Sequence, residues 1–149
     1  MYREIKFRAW DTYNERMVPD PHRFQQNTDQ PSEDPRFNAS WQFTEDWRDE
    51  EDGIWRPCHI MQFTGLKDKN GKEIYEEDII EYSHRTLIRE EENFETTIQR
   101  SVVIFRNGWF QAEDNDFGWE GEGLIHLEES AVVGNRFENP ELLPSSPSR

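Results

Sequence analysis

The pairs Asn70-Gly71 and Asn107-Gly108 limit what this chain can fold into more than any other feature of it. The first stands between "HIMQFTGL" and "EIYEEDIIEY"; the second follows "TTIQRSVVIF" and precedes Trp109 and Phe110. A type I′ hairpin turn needs φ > 0 at both central residues, and Asn-Gly meets that need best. Two antiparallel hairpins are therefore expected, with Asn70, Gly71, Asn107 and Gly108 as structural turn residues that set strand register. Tyr75, Ile79 and Ile80 should pack, and Ile98, Val102 and Ile104 share one face of the strand before the second turn.

Other stretches read the same way. In "REIKFRAWD", Ile5, Phe7 and Ala9 alternate with Glu4, Lys6 and Arg8, the period of a strand with one buried face. Asp11 to Asn14 read as a turn, and "LIHLEESAVVG" as a last strand region. Asn139-Pro140-Glu141 predicts a capped helical turn with proline at its first position. Short strands with little helical periodicity imply a mostly β fold, a small barrel or a strongly bent antiparallel sheet. One domain over residues 1–143 is expected, with a disordered tail at 144–149. A flexible insert at about residues 19–56 interrupts it, because Pro19 to Pro35 holds four prolines and no aliphatic residue.

Apolar residues make up only 33% of the chain, so the core must draw on its six Trp and ten Phe. The net charge of -15 argues against direct binding to nucleic-acid phosphates or to anionic membranes. It suits a solvated surface, a basic protein partner, or imitation of a nucleic acid's charge. Cys58 is alone, which excludes an intrachain disulfide. The first residues carry no apolar signal segment and no run reaches membrane-spanning length, so a cytoplasmic location is expected.

Tests for chemistry return little. Read as a calcium loop with Gly71 at its sixth position, the first hairpin puts Leu66 where the first carboxylate must be, which rules that loop out. "EDNDFGWEGEG" gathers Glu113, Asp114, Asp116, Glu120 and Glu122, but at no known ligand spacing, and a solvated acidic loop explains it. Cys58 and His59 are adjacent, so in a strand they face opposite ways and do not share a metal. No nucleophile elbow and no phosphate loop is present. No catalytic residue, metal or cofactor is assigned. Trp41, Phe43, Trp47 and Trp55, set among six carboxylates from Glu45 to Asp52, offer a contact surface for a basic partner. The structural alternative, that these rings close the open side of the β core, carries more weight. Glu113 to Glu122 is the other candidate contact surface.

"REIKFRAWD", "MQFTGLKDKNGKEIYEEDII" (Met61 to Ile80) and "VVGNRFENPELL" (Val132 to Leu143) together resemble the YopX-like family, small proteins encoded by bacteriophages and prophages. The resemblance implies a predominantly β, barrel-like fold, a phage or prophage origin and work inside a bacterial cell. It implies no catalytic residue. Two positions depart from the family. Glu77 stands where glycine is usual, which puts a φ > 0 turn between Tyr75 and Asp78 in question; Arg136 stands where an apolar residue is usual. The reading that follows is a non-enzymatic accessory protein of unknown function that binds a host or phage protein, with homo-oligomerisation as a further option. An acidic nucleic-acid mimic is the alternative, and a metal-dependent enzyme the least supported.

Overall fold

The structure is a computed structural model, and it describes residues 4–27, 44–88, 90, 93–113 and 127–143. Ten strands form, all pairing antiparallel, and no α-helix is present among the described residues. Among the described residues the sheets are open at their edges and do not close into a barrel, which leaves the bent sheet of the two expected forms. Contacts gather the described residues into two compact units, one within Ile5–Gln62 and one within Phe63–Arg149.

In the Ile5–Gln62 unit, β1 (Phe7–Asp11), β2 (Arg16–Val18), β3 (Phe24–Asn27), β4 (Thr44–Arg48) and the first part of β5 (Trp55–Lys67) pair in the order β2-β1-β5-β4-β3. Register sets Ala9 opposite both Val18 and Ile60, and Trp47 opposite Arg56. Alternation then brings Ala9, Trp47 and Cys58 to one face, where they form the core with Val18 and Ile60. The proline-rich stretch is not wholly loop: the chain enters β3 at Phe24, whose ring lies 5.1 Å from Phe7 and which pairs with Trp47. Ladder hydrogen bonds to β4 and one aromatic contact order a segment that has no aliphatic residue to bury.

In the other unit, β6 (Glu73–Tyr75) pairs with the Phe63–Lys67 end of β5. A separate sheet runs β10 (Ala131–Asn135), β7 (Asp78–Ile88), β8 (Asn93–Arg106), β9 (Trp109–Glu113). Its core is Ile74, Ile80, Tyr82, Val103 and Leu127, with Leu66, Phe110, Ala112 and Val132 packed against it. Ile79 and Ile80 are both fully buried, as the sequence requires, and Tyr75 is half-buried. Irregular register around Gly65 in β5 and at Val133 in β10 bends these strands. Gly134 is required by close approach: a Cβ there would sit 2.5 Å from Oδ1 of Asn139. That Asn139 oxygen accepts from the Asn135 N–H, so the 3₁₀ turn Pro140–Leu142 has proline at its start but no side-chain cap.

The two Asn-Gly pairs form different turns. Asn107 and Gly108 have φ of 56° and 86°, the expected type I′ geometry between β8 and β9. At the first pair only Gly71 has positive φ, 83°. The Gly71 N–H donates to the Asp68 carbonyl (3.0 Å) and the Asp68 N–H to Lys72 (2.7 Å), which closes a longer loop ending in a left-handed glycine. The cause is Asp68, buried, whose carboxylate accepts from the N–H groups of Asn70 (2.9 Å), Lys72 (2.8 Å) and Val132 of β10 (2.8 Å). Burial alone would raise its pKa; the bonds from Val132, Lys72 and Asn70 and the Lys72 charge outweigh that and hold it below the usual aspartate range.

Glu77 does take a left-handed turn, with φ of 67°. Its N–H donates to the Val103 carbonyl (2.8 Å) and its carbonyl accepts from the Arg136 N–H (2.9 Å). The Arg136 guanidinium lies 3.1 Å from the Glu77 carboxylate and 3.0 Å from that of Glu113, so Arg136 is exposed and paired rather than buried. Glu77 and Arg136, the two positions the sequence singled out, therefore meet in one ion pair.

Asp68→Asn keeps the shape but turns an amino group toward an N–H donor, and is expected to cost about 2 kcal/mol in denaturant unfolding. A depressed folded pKa gives stability that is complete above the unfolded value, about pH 4, and is lost as pH falls through the lower folded value. Wild type should therefore lose more stability than Asp68→Asn on going from neutral pH to about pH 2; equal losses would count against the clasp. Glu77→Gly removes left-handed strain of about 1 kcal/mol and an ion pair, between an exposed arginine and a half-buried carboxylate, worth less. Its melting temperature should equal or exceed wild type, and a clear drop would mean that the ion pair, not the turn, dominates.

Candidate protein-docking surface

Two turns meet at one end of the Ile5–Gln62 sheet. The turn after β1 is organised by Asp11, fully buried, whose carboxylate accepts from the N–H groups of Tyr13 (2.9 Å) and Asn14 (3.0 Å) and from the Asn14 side chain (2.8 Å). Burial pushes the Asp11 pKa up, but the Asn14 and Tyr13 bonds and the Arg16 charge together bring it below the usual range. The turn between β4 and β5 is organised by Asp49, whose carboxylate accepts from Glu51 N–H (3.0 Å) and whose carbonyl accepts from Gly53 N–H (2.8 Å). Asp52 in turn accepts from Ile54 N–H (2.9 Å).

An alternating chain of carboxylates and guanidiniums ties the two turns together. Arg16 lies 3.6 Å from Asp11 and 3.1 Å from Asp49; Arg56 lies 3.9 Å from Asp49 and is bonded to Asp52. Both guanidiniums also rest near rings, Arg16 5.4 Å from the Trp47 centroid and Arg56 5.5 Å from that of Tyr13. The Thr12 N–H and hydroxyl both donate to the Pro57 carbonyl. Such cross-linking fixes two loops that would otherwise move, since each charge is held by two or more partners. On and beside these two turns Tyr13, Ile54 and Trp55 are exposed, as are the carboxylates of Glu15, Glu50 and Glu51.

Of the aromatic residues expected at a contact surface, Trp55 is at the surface, 42% exposed, while Trp47 is 5% exposed and belongs to the core. Trp47 is therefore no docking anchor; alternation turns it inward beside Ala9 and Cys58. Trp41 and Phe43 lie outside the described residues. The acidic run is partly used inside the fold: Glu45 accepts from the Ile60 N–H, Asp49 holds Arg16, and Asp52 holds Arg56. Glu113 pairs with Arg136 and Arg106 and so serves the framework, whereas Asp114, Asp116, Glu120 and Glu122 lie outside the described residues. Tyr13 and Ile54 were not picked out by sequence reasoning. Their signal was present in Asp11-x-x-Asn14 and Asp52-Gly53, residues that favour side-chain-closed turns and so lift their neighbours into solvent.

Burial, reinforced by the charges of Glu45, Asp46 and Asp11, pushes the Cys58 thiol up to about 12, so it is no nucleophile at neutral pH. Among the described residues no three His, Cys, Asp or Glu side chains are gathered as a metal-binding group, and no helix is long and apolar enough to cross a membrane.

Comparison with known proteins agrees with the fold. The crystal structure of protein EF1440 from Enterococcus faecalis is similar, with 28% sequence identity over 96% of this chain and 100% of that one, at a TM-score of 0.55. No curated protein matches the sequence. Residues 6–144 match the family described as YopX protein, nearly the whole length of the chain, and the protein belongs to that family.

Proposed function

We propose that this is a phage- or prophage-encoded, non-enzymatic accessory protein that acts in the bacterial cytoplasm by docking on another protein. The observation that carries the reading is the exposure of Tyr13, Ile54 and Trp55 on turns locked by the Asp11, Arg16, Asp49, Arg56 and Asp52 ion-pair chain. Apolar anchors held rigid before binding lose little entropy when they are buried, which is what a binding hot spot requires. The rim of Glu15, Glu50 and Glu51 fits a partner with basic residues around an apolar patch. Nucleic-acid mimicry is less well supported, because it needs free carboxylates and Glu45, Asp49 and Asp52 already hold partners within the fold.

The test is capture from nuclease-treated lysate of the bacterium that carries the gene, comparing wild type with Tyr13→Ala/Trp55→Ala. Wild type should retain a basic protein that the double variant loses at least tenfold, with unchanged melting temperature, and raised salt should weaken capture. Equal capture by both proteins would overturn the assignment of this surface.

A further inference from the structure

The β7–β8 hairpin is longer than the sheet that contains it. The two strands pair continuously from Ile79 opposite Val102 to Ile88 opposite Asn93. β10 accompanies β7 only over Asp78 to Glu81, and β9 accompanies β8 only over Val102 to Arg106. From Tyr82 and Gln99 outward the hairpin is therefore an arm two strands wide among the described residues, about 20 Å long at the usual rise per residue. A two-stranded ribbon is marginal in water unless one of its faces is covered.

Directly opposed residues share a face, so Leu87 with Phe94, Arg85 with Thr96 and Ser83 with Ile98 line one side of the arm. Leu87, Phe94 and Ile98 are 51%, 52% and 63% exposed, large apolar side chains toward the two ends of this face with Arg85 and Thr96 between them. Its single charge, Arg85, stacks 3.8 Å from the Phe94 ring centroid. None of the six residues is a carboxylate, in a chain where Asp and Glu outnumber Lys and Arg 32 to 17. The next carboxylate inward on this face, Glu81, is paired with Arg100 at 3.0 Å.

A face without carboxylates gives a basic partner nothing to bind. It is, however, the kind of place where two strongly acidic molecules can meet without opposing their charges. We infer that the occupant is the same face of a second copy of this chain. A twofold axis along the strands sets β7 of one copy over β8 of the other, which brings Leu87 over Phe94, Ser83 over Ile98, and Arg85 over Thr96 rather than over its own counterpart. The face is about 10 Å wide, two strand spacings, so the contact buries less than the about 1,200 Å² of a stable interface. The dimer is a reversible one, with a dissociation constant in the micromolar range or weaker. Because each copy carries -15, added salt screens their repulsion and tightens the dimer, opposite to the salt response of a charge-driven complex. This surface is independent of the docking patch on the Ile5–Gln62 unit.

Sedimentation velocity over about 10 to about 500 μM, at low and high salt, tests the inference on the full chain. Wild-type mass should rise with concentration from 18.0 kDa toward twice that value, and rise further in high salt. Leu87→Lys/Ile98→Lys should stay at the mass of one chain with its near-ultraviolet circular dichroism unchanged. If that variant misfolds, Ile98→Thr, which keeps strand propensity, should still weaken association severalfold. Wild type that stays at one-chain mass throughout, or association that survives both variants, would overturn the inference. So would a captured protein that depends on Leu87 and Ile98 while wild type alone stays monomeric, since the face would then belong to a different partner.

Discussion

Buried carboxylates that accept backbone N–H groups at the turns hold this fold together. Asp11 organises the turn after β1, Asp49 the turn before β5, and Asp68 the turn between β5 and β6. Asp78 accepts from the Tyr75 N–H before β7, and Asn135 does the same for Phe137 and Glu138 after β10. Every turn leaves amide donors without a ladder partner, and an unmet buried donor costs about 1–3 kcal/mol. A carboxylate accepts several at once, and charge-assisted bonds are roughly twice as strong as neutral ones. Asp68 does most, because its third bond, to Val132, fixes β10 to a turn 64 residues earlier in the chain. Part of a charge that looks like solvated surface is internal framework.

That principle explains what could be read from the sequence and what could not. Strand periodicity located β1 and β8, and the apolar runs on either side of Asn70-Gly71 located β5 and β7, because both signals are properties of the local chain. Asn107-Gly108 formed the turn its residues prefer, since only backbone conformation acts there. Asn70-Gly71 did not, because Asp68 recruits an amide from a distant strand and so selects a longer loop. β3 was hidden for the opposite reason: "FQQN" has almost no pattern, and pairing with β4 and the Phe24–Phe7 ring contact order it. Trp47 and Trp55 look alike in sequence, yet register sends one inward and leaves the other exposed. Glu77 takes a glycine conformation because an arginine far along the chain meets both its carbonyl and its carboxylate.

The candidate surface was half legible. Trp55 and the acidic run around it can be seen directly, but the ion-pair chain that makes the site rigid joins residues 11, 16, 49, 52 and 56, and no local window holds them together. Tyr13 is joined to the turn that carries Ile54 only through Arg16 and Arg56. The two exposed apolar surfaces also differ in charge. One is rimmed by Glu15, Glu50 and Glu51; the other, on the β7–β8 arm, has no carboxylate among its six lining residues. Opposite salt responses are the physical signature that separates a charge-steered contact from an apolar one in so acidic a chain.

Asp11 and Asp68 stay ionised while buried because backbone amides hold them. The direct measurement is a carbon-13 NMR titration of the aspartate carboxyl groups, followed together with the amide protons of Tyr13, Asn14, Asn70, Lys72 and Val132. Both carboxyls should titrate below the ordinary aspartate value of about 3.9, and the amide shifts should move with the carboxyl each one contacts. Carboxyls that titrate at or above that value, or amides that ignore them, would contradict the account.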